Sequence, residues 1–164
     1  MPQAALDFAL PNLAATGRLA AAAAALAERG DVLALHGGLG AGKTAFARAF
    51  IRARPGGEAV DEVPSPTFTL VQVYELPDVA VWHFDLYRLN HPEEALELGI
   101  EDAFAEAISL IEWPERLGAL LPERRLDVTL VPGAKPEARR ATLAARGPWA
   151  VRLPVLGRAF AAAP

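Results

Sequence analysis

Apolar positions in this chain fall into strand-like runs and helix-like stripes. DVLALHG (31–37) is a near-continuous apolar run bounded by turn residues, as expected of a strand buried on both faces. AISLIEW (107–113) reads as another buried strand. KTAFARAFIRA (43–53) instead sets Phe46, Phe50 and Ile51 along one helical face. NLAATGRLAAAAAALAERG (12–30) predicts an Ala-rich packing helix stopped by Gly30. DFAL (7–10) predicts a short strand. TFTLVQVYEL (67–76) and VAVWHFDLY (79–87) predict two more, joined by a hairpin turn at LPD. HPEEALELG (91–99) predicts a short helix opened by Pro92 and stopped by Gly99. RPGGEAVDEVPSP (54–66) is a loop by composition. RLDVTLVPG, RRATLAARG and WAVRL predict C-terminal β segments arranged as a meander.

The 164 residues suit one domain, 1–164, with a single substantial core. A net charge of -4 argues against stand-alone nucleic-acid binding, which leaves a basic footprint, but not against RNA contact inside a complex. The absence of cysteine excludes a disulfide framework and thiolate metal sites. LAAAAAALA (19–27) is too short and too Ala-rich to span a membrane, and no positive segment precedes it as in a signal peptide. A cytoplasmic chain with no membrane partner is expected.

The chemistry concentrates between the strand at 31–37 and the helix at 43–53. GGLGAGKT (37–44) matches the strand–GxxxxGK[ST]–helix pattern of a P-loop through Gly37, Gly42, Lys43 and Thr44. Its glycines let backbone N–H groups wrap closely around phosphates, and the helix presents its positive end to the same anion. Lys43, one of two lysines in the chain, can reach the β- and γ-phosphates; Thr44 can give its hydroxyl to Mg²⁺. The predicted nucleotide-binding set here is Gly38, Leu39, Gly40, Ala41, Gly42, Lys43, Thr44 and Ala45. The bland alternative is a flexible glycine turn. At this composition the motif arises by chance with a probability of about 6 × 10⁻⁴.

A P-loop needs an acid at the end of a neighbouring strand. Asp85 and Glu112 each follow an apolar strand; a helix cap or a surface charge is the ordinary alternative for both. In SPTFT (65–69), Ser65 is biased to an extended conformation by Pro66. Thr67 is then presented from a stiffened loop, where it could sense the γ-phosphate and metal. His36, His83 and His91 lack metal-ligand spacing, so packing or capping is expected of them. Trp82 and Trp149 read as core or strand aromatics. Trp113 could pack beside the nucleotide, a partner or the core. The pairs Arg124–Arg125 and Arg139–Arg140 read as solvated charges or as partner or RNA contacts. No NKxD-like segment and no DxxG is present to read guanine nucleotides, which favours ATP.

GGLGAGKTAFARAF, SPTFTLVQVYE, HFDLYRL, ELGIEDAF and ISLIEWPERLGALLPE occur in this order, at spacings that resemble the bacterial TsaE (YjeE) family over roughly residues 10–131. The resemblance implies an ATPase needed for N6-threonylcarbamoyladenosine at position 37 of tRNAs that read codons beginning with A. Family members act with TsaB and TsaD, so tRNA is engaged indirectly, while TsaC supplies the threonylcarbamoyl-adenylate. By motif position Lys43 and Thr44 hold phosphate and Mg²⁺, and Thr67 is the threonine of the SPT loop. Asp85 is the aspartate of HFDLYR, and Glu112 is the Mg²⁺-associated acid of EWP. The catalytic set is thus Lys43, Asp85, Glu112 and Thr67, and the metal set Thr44 and Glu112. Thr16 sits where the family often has a threonine near the nucleotide. Gly38 stands where the family often has Asp, and Ala20 where Gly is common. The fold class expected is α/β: a P-loop NTPase-like three-layer domain with a mixed central sheet and an antiparallel C-terminal extension. An independent small-molecule kinase and a non-hydrolytic nucleotide sensor are the alternatives. Hydrolysis is expected to be weak alone and stimulated by partners.

Overall fold

A computed structural model describes residues 4–163. Its strands are β1 (Ala4–Leu10), β2 (Val32–His36), β3 (Val71–Tyr74), β4 (Val81–Asp85), β5 (Ile108–Glu112), β6 (Leu126–Pro132) and β7 (Arg139–Ala145). Its helices are α1 (Leu13–Leu26), α2 (Lys43–Ala53), α3 (Glu94–Glu97), α4 (Ile100–Glu106) and α5 (Trp149–Ala162). The seven strands form one mixed sheet in the order β1-β7-β6-β2-β5-β4-β3. β6, β2, β5 and β4 run parallel; β3 pairs antiparallel with β4, and β7 pairs antiparallel with both β6 and β1.

The continuous apolar runs have a direct cause: the central strands are covered on both faces. Leu33 and Leu35 belong to one cluster, which also holds Phe46, Phe50 and Ile51 of α2, Ala15, Ala20, Ala23 and Ala24 of α1, and Trp149, Leu153 and Leu156 of α5. Val32, Phe84 and Ile111 face the other way and pack with Ile100, Ala103 and Leu117. Phe46 and Phe50 are fully buried, and each contributes roughly 1.5–3 kcal/mol. The result is a mixed α/β fold in three layers.

α2 covers the span expected from the sequence. α1 begins as expected, with the Asn12 side chain accepting the Ala15 N–H at 2.9 Å. It ends sooner, with Ala27 as its C-cap. The Glu28 N–H is taken by the Asp31 carboxylate, and Gly30, at φ +90°, turns the chain into β2. The strand predicted from Thr67 starts only at Val71, because the Leu70 N–H closes a turn onto the Pro66 carbonyl at 2.7 Å. Gly99 does end the short helix, but at φ +84° it also starts α4, which the sequence reading did not resolve.

Two C-terminal expectations need correction. WAVRL is not a strand; it opens α5, where Trp149, Leu153 and Leu156 recur on one buried face at a helical repeat too long to show in five residues. Nor is the antiparallel extension purely C-terminal. β6 is a parallel neighbour of β2, and the antiparallel margin combines β7 with β1 from the other end of the chain.

Candidate nucleotide site

β2 and α2 are joined by a loop that presents backbone rather than side chains. Gly42 is left-handed at φ +105° and forms the N-cap of α2. Gly37 lies so close to β6 that a Cβ there would sit 2.7 Å from the Leu130 carbonyl oxygen. Both positions need glycine for steric reasons. The first helical bond at this end runs from the Phe46 N–H to the Gly42 carbonyl at 2.9 Å. The amides of Lys43, Thr44 and Ala45 precede that bond, at the positive end of the helix. No heavy atom lies within 4 Å of a Cβ built on Gly38 or Gly40, so the loop leaves open space there. An anion fits this donor set.

Leu39 through Ala45 line a cleft of about 290 Å³ together with Ser65, Thr67, Asp85, Glu112 and Trp113. Lys43 is 5% exposed and folds back over the loop. Its Nζ donates to the Gly37 carbonyl and, at 3.3 Å, to the Gly38 carbonyl. It also lies 3.5 Å from the centre of the Trp113 ring. Burial pushes the ammonium below the ordinary lysine pKa, against the opposing pull of Glu112, Glu115 and Asp85.

The two strand-end acids meet here because β4 and β5 are parallel and in register, Asp85 opposite Glu112. The Thr44 hydroxyl lies 3.1 and 3.0 Å from the two Glu112 carboxylate oxygens. Glu112 Oε2 also meets Nε2 of the buried His83 at 2.7 Å. Asp85 is held differently. Ser65 Oγ and Thr67 Oγ1 donate to Oδ2 at 2.7 and 3.2 Å, and the Tyr87 N–H donates to Oδ1 at 3.1 Å. These three donors leave about one carboxylate lone-pair site free.

The cleft thus gathers Lys43, Thr44, Thr67, Asp85 and Glu112 with the loop residues Leu39 to Ala45; Gly38 contributes its carbonyl to Lys43. Thr16 does not line it. It lines an adjoining cavity of about 240 Å³ that shares Ala45, and its buried hydroxyl has no hydrogen-bond partner among the described residues. Sequence reasoning passed over three neighbours. His83, expected to pack or cap, holds Glu112. Ser65 was read through its backbone, yet its hydroxyl makes the shortest contact to Asp85. Arg139, expected as a solvated charge or a partner or RNA contact, donates to the Ala41 carbonyl at 2.8 Å and the Gly40 carbonyl at 3.1 Å. Only the alternation of HFD hinted at the first of these, since His83 and Asp85 share one side of β4.

Behind the loop, His36 Nε2 lies 2.8 Å from Asp127, which also pairs with Arg125 at 2.9 Å. Burial alone would raise the Asp127 pKa; the His36 and Arg125 hydrogen bonds outweigh it and hold the carboxyl below the ordinary aspartate value. A depressed folded-state pKa gives stability that is full above about pH 4 and is lost as pH falls through the lowered value. Asp127→Asn is therefore expected to lower the unfolding temperature by several degrees at neutral pH. The gap to wild type should narrow as pH falls below about 4, as followed by thermal melts across pH. A gap that stays constant would assign the effect to packing rather than charge.

The family profile described as Threonylcarbamoyl adenosine biosynthesis protein TsaE matches residues 10–141. The tRNA threonylcarbamoyladenosine biosynthesis protein TsaE of Rickettsia bellii is 42% identical over 115 residues, covering 70% of this chain and 78% of that one. The protein of the same name from Bacillus subtilis is 35% identical over 126 residues, covering 76% and 77%. The crystal structure of YdiB from Bacillus subtilis superposes with a TM-score of 0.78 at 28% identity, covering 96% of this chain and 97% of that one. With the profile spanning most of its length, the chain belongs to the TsaE family.

Proposed function

We propose that this protein is a P-loop ATPase subunit of tRNA threonylcarbamoyladenosine biosynthesis, dependent on Mg²⁺ and acting with homologues of TsaB and TsaD. The observation that carries the reading is the convergence of Lys43, Thr44, Glu112 and Asp85 on one glycine loop at a helix N-terminus. The family and the names of its relatives supply the pathway. A single sheet that includes both β1 and β7 supports one domain over 1–164. Engagement of tRNA through the complex supports a cytoplasmic setting, and no helix among the described residues is long and apolar enough to cross a membrane.

The contacts support the following roles. The loop amides and the Lys43 ammonium bind the phosphates of ATP. The Thr44 hydroxyl and Glu112 would hold Mg²⁺, which when bound neutralises charge on the phosphate oxygens. His83 fixes one Glu112 oxygen and so orients the carboxylate. Asp85, held by Ser65 and Thr67, keeps an acceptor for an attacking water. In this reading Thr16 contributes from the adjoining cavity through its unpartnered hydroxyl.

The cleft is open, and no arginine guanidinium lines it among the described residues. Charge developing on a departing phosphate is then poorly stabilised, so turnover by the isolated chain is expected to be slow. The test is an ATPase assay on the protein alone and with TsaB, TsaD and tRNA. Stimulation of at least about tenfold by the partners is expected. Fast turnover alone that the partners leave unchanged, or a phosphorylated small-molecule product, would overturn the assignment.

A further inference from the structure

The pair β6–β7 carries no sequence motif, yet it ends against the glycine loop. Arg139 is the first residue of β7, set in the sheet opposite Pro132 of β6 and Leu10 of β1. Its guanidinium bonds to four backbone carbonyls. Nη1 donates to Pro136 and Ala138 of its own hairpin turn, each at 2.8 Å. Nε and Nη2 donate to Ala41 and Gly40 of the loop. The turn is itself closed by the Gly133 N–H on the Ala138 carbonyl at 2.7 Å. A planar fork with fixed donors thus ties the loop to a rigid hairpin.

The consequence lies in the peptide planes. Across a trans peptide the carbonyl and the following N–H point in opposite directions. Drawing the Ala41 carbonyl toward Arg139 therefore turns the Gly42 N–H away from it. Drawing the Gly40 carbonyl the same way sets the Ala41 N–H, which closes the loop onto the Gly38 carbonyl at 3.2 Å. Gly42 completes the fit: a Cβ there would lie 3.3 Å from Arg139 Nε.

We infer that Arg139 is a positioning residue for nucleotide binding, clamping the Gly40 and Ala41 carbonyls so that the loop keeps its closed shape and the Gly42 amide stays available to phosphate. This rests on the reading of the loop as a phosphate site. It gives the β6–β7 hairpin a function: to anchor that loop from outside the β2–α2 unit. Arg139 itself touches no phosphate in this account, so it acts on ADP and ATP alike.

The test uses the full chain with Arg139→Met, which keeps an apolar stem without donors, and Arg139→Lys, which restores one charged donor group. Fluorescent ADP and ATP analogues are titrated with Mg²⁺, and melts without nucleotide check the fold. Arg139→Met should raise Kd for both nucleotides by about tenfold, with Arg139→Lys between it and wild type. In steady-state hydrolysis KM should rise with kcat within about twofold, because binding is lost equally in ground and transition states. A merely structural role would lower kcat through loss of folded enzyme and leave KM unchanged. That result, an unchanged Kd in a folded variant, or a loss confined to ATP would each overturn the inference. Should Arg139→Met fail to fold, the Kd of Arg139→Lys decides by the same criteria. Lys43→Ala runs beside them: if it keeps full affinity, the phosphate-site reading itself fails. If it loses affinity while the Arg139 variants do not, only the positioning role fails.

Discussion

Lys43→Ala is expected to weaken ATP binding by roughly 30- to 150-fold, the equivalent of about 2–3 kcal/mol for a charge-assisted bond to phosphate. Its effect on the nucleotide-free fold should be much smaller than that of an ordinary core deletion. Lys43 is buried, and burial lowers its pKa. A base whose folded-state pKa lies below its unfolded value costs stability while it is charged. That cost is present through neutral pH and fades only as pH rises past the lowered value. Removing the ammonium should therefore leave the melting temperature at neutral pH unchanged or slightly raised. Calorimetric titration with ATP and a melt without nucleotide, run on one preparation, measure both effects. A folded variant with wild-type affinity would falsify the assignment of Lys43 to phosphate.

Glu112→Gln and Asp85→Asn should separate binding from hydrolysis. Glu112 accepts the Thr44 hydroxyl and meets His83, so glutamine removes the charge beside Thr44 while keeping an acceptor for His83. Its ATP affinity should fall by about tenfold or more with Mg²⁺ and change little in chelator. Asp85 is gripped by Ser65 and Thr67, whereas Thr44 donates to Glu112. Asp85→Asn should keep nucleotide affinity within about twofold and lower single-turnover hydrolysis by about 10²–10⁴. If both variants bind and hydrolyse like wild type, the two acids serve only to join β4 and β5 to their loops. If the effects are exchanged, so are the roles.

The legible parts of this protein were those where local physics decides. DVLALHG and AISLIEW are apolar on both sides because both sheet faces are covered, and a strand of that kind reads the same in isolation. The glycine loop was legible because close backbone approach leaves a density of glycine that no ordinary turn requires. Asp85 and Glu112 stood out as acids ending apolar runs. What escaped depends on register and distance. His83 reaches Glu112 only because β4 lies parallel to β5. Arg139 reaches Gly40 across 99 positions of chain, and nothing near either residue announces the other. The helix at Trp149 reads as a strand over five residues because its buried positions repeat over a longer window.

The pairing of β1 with β7 also has a bearing on time. β1 is made early, yet its neighbour in the sheet is β7, and Thr142 meets Asp7 across 135 positions. Closing so long a loop is an entropic cost that must precede any reward from the contact, and chains with such distant pairings fold slowly. During synthesis β2, the glycine loop and α2 can collapse with β4 and β5 while β1 still lacks its partner strand. The hairpin that completes the sheet also brings Arg139 to the loop. The β1–β7 pairing and the Arg139 bonds to the glycine loop therefore both wait on the synthesis of β7.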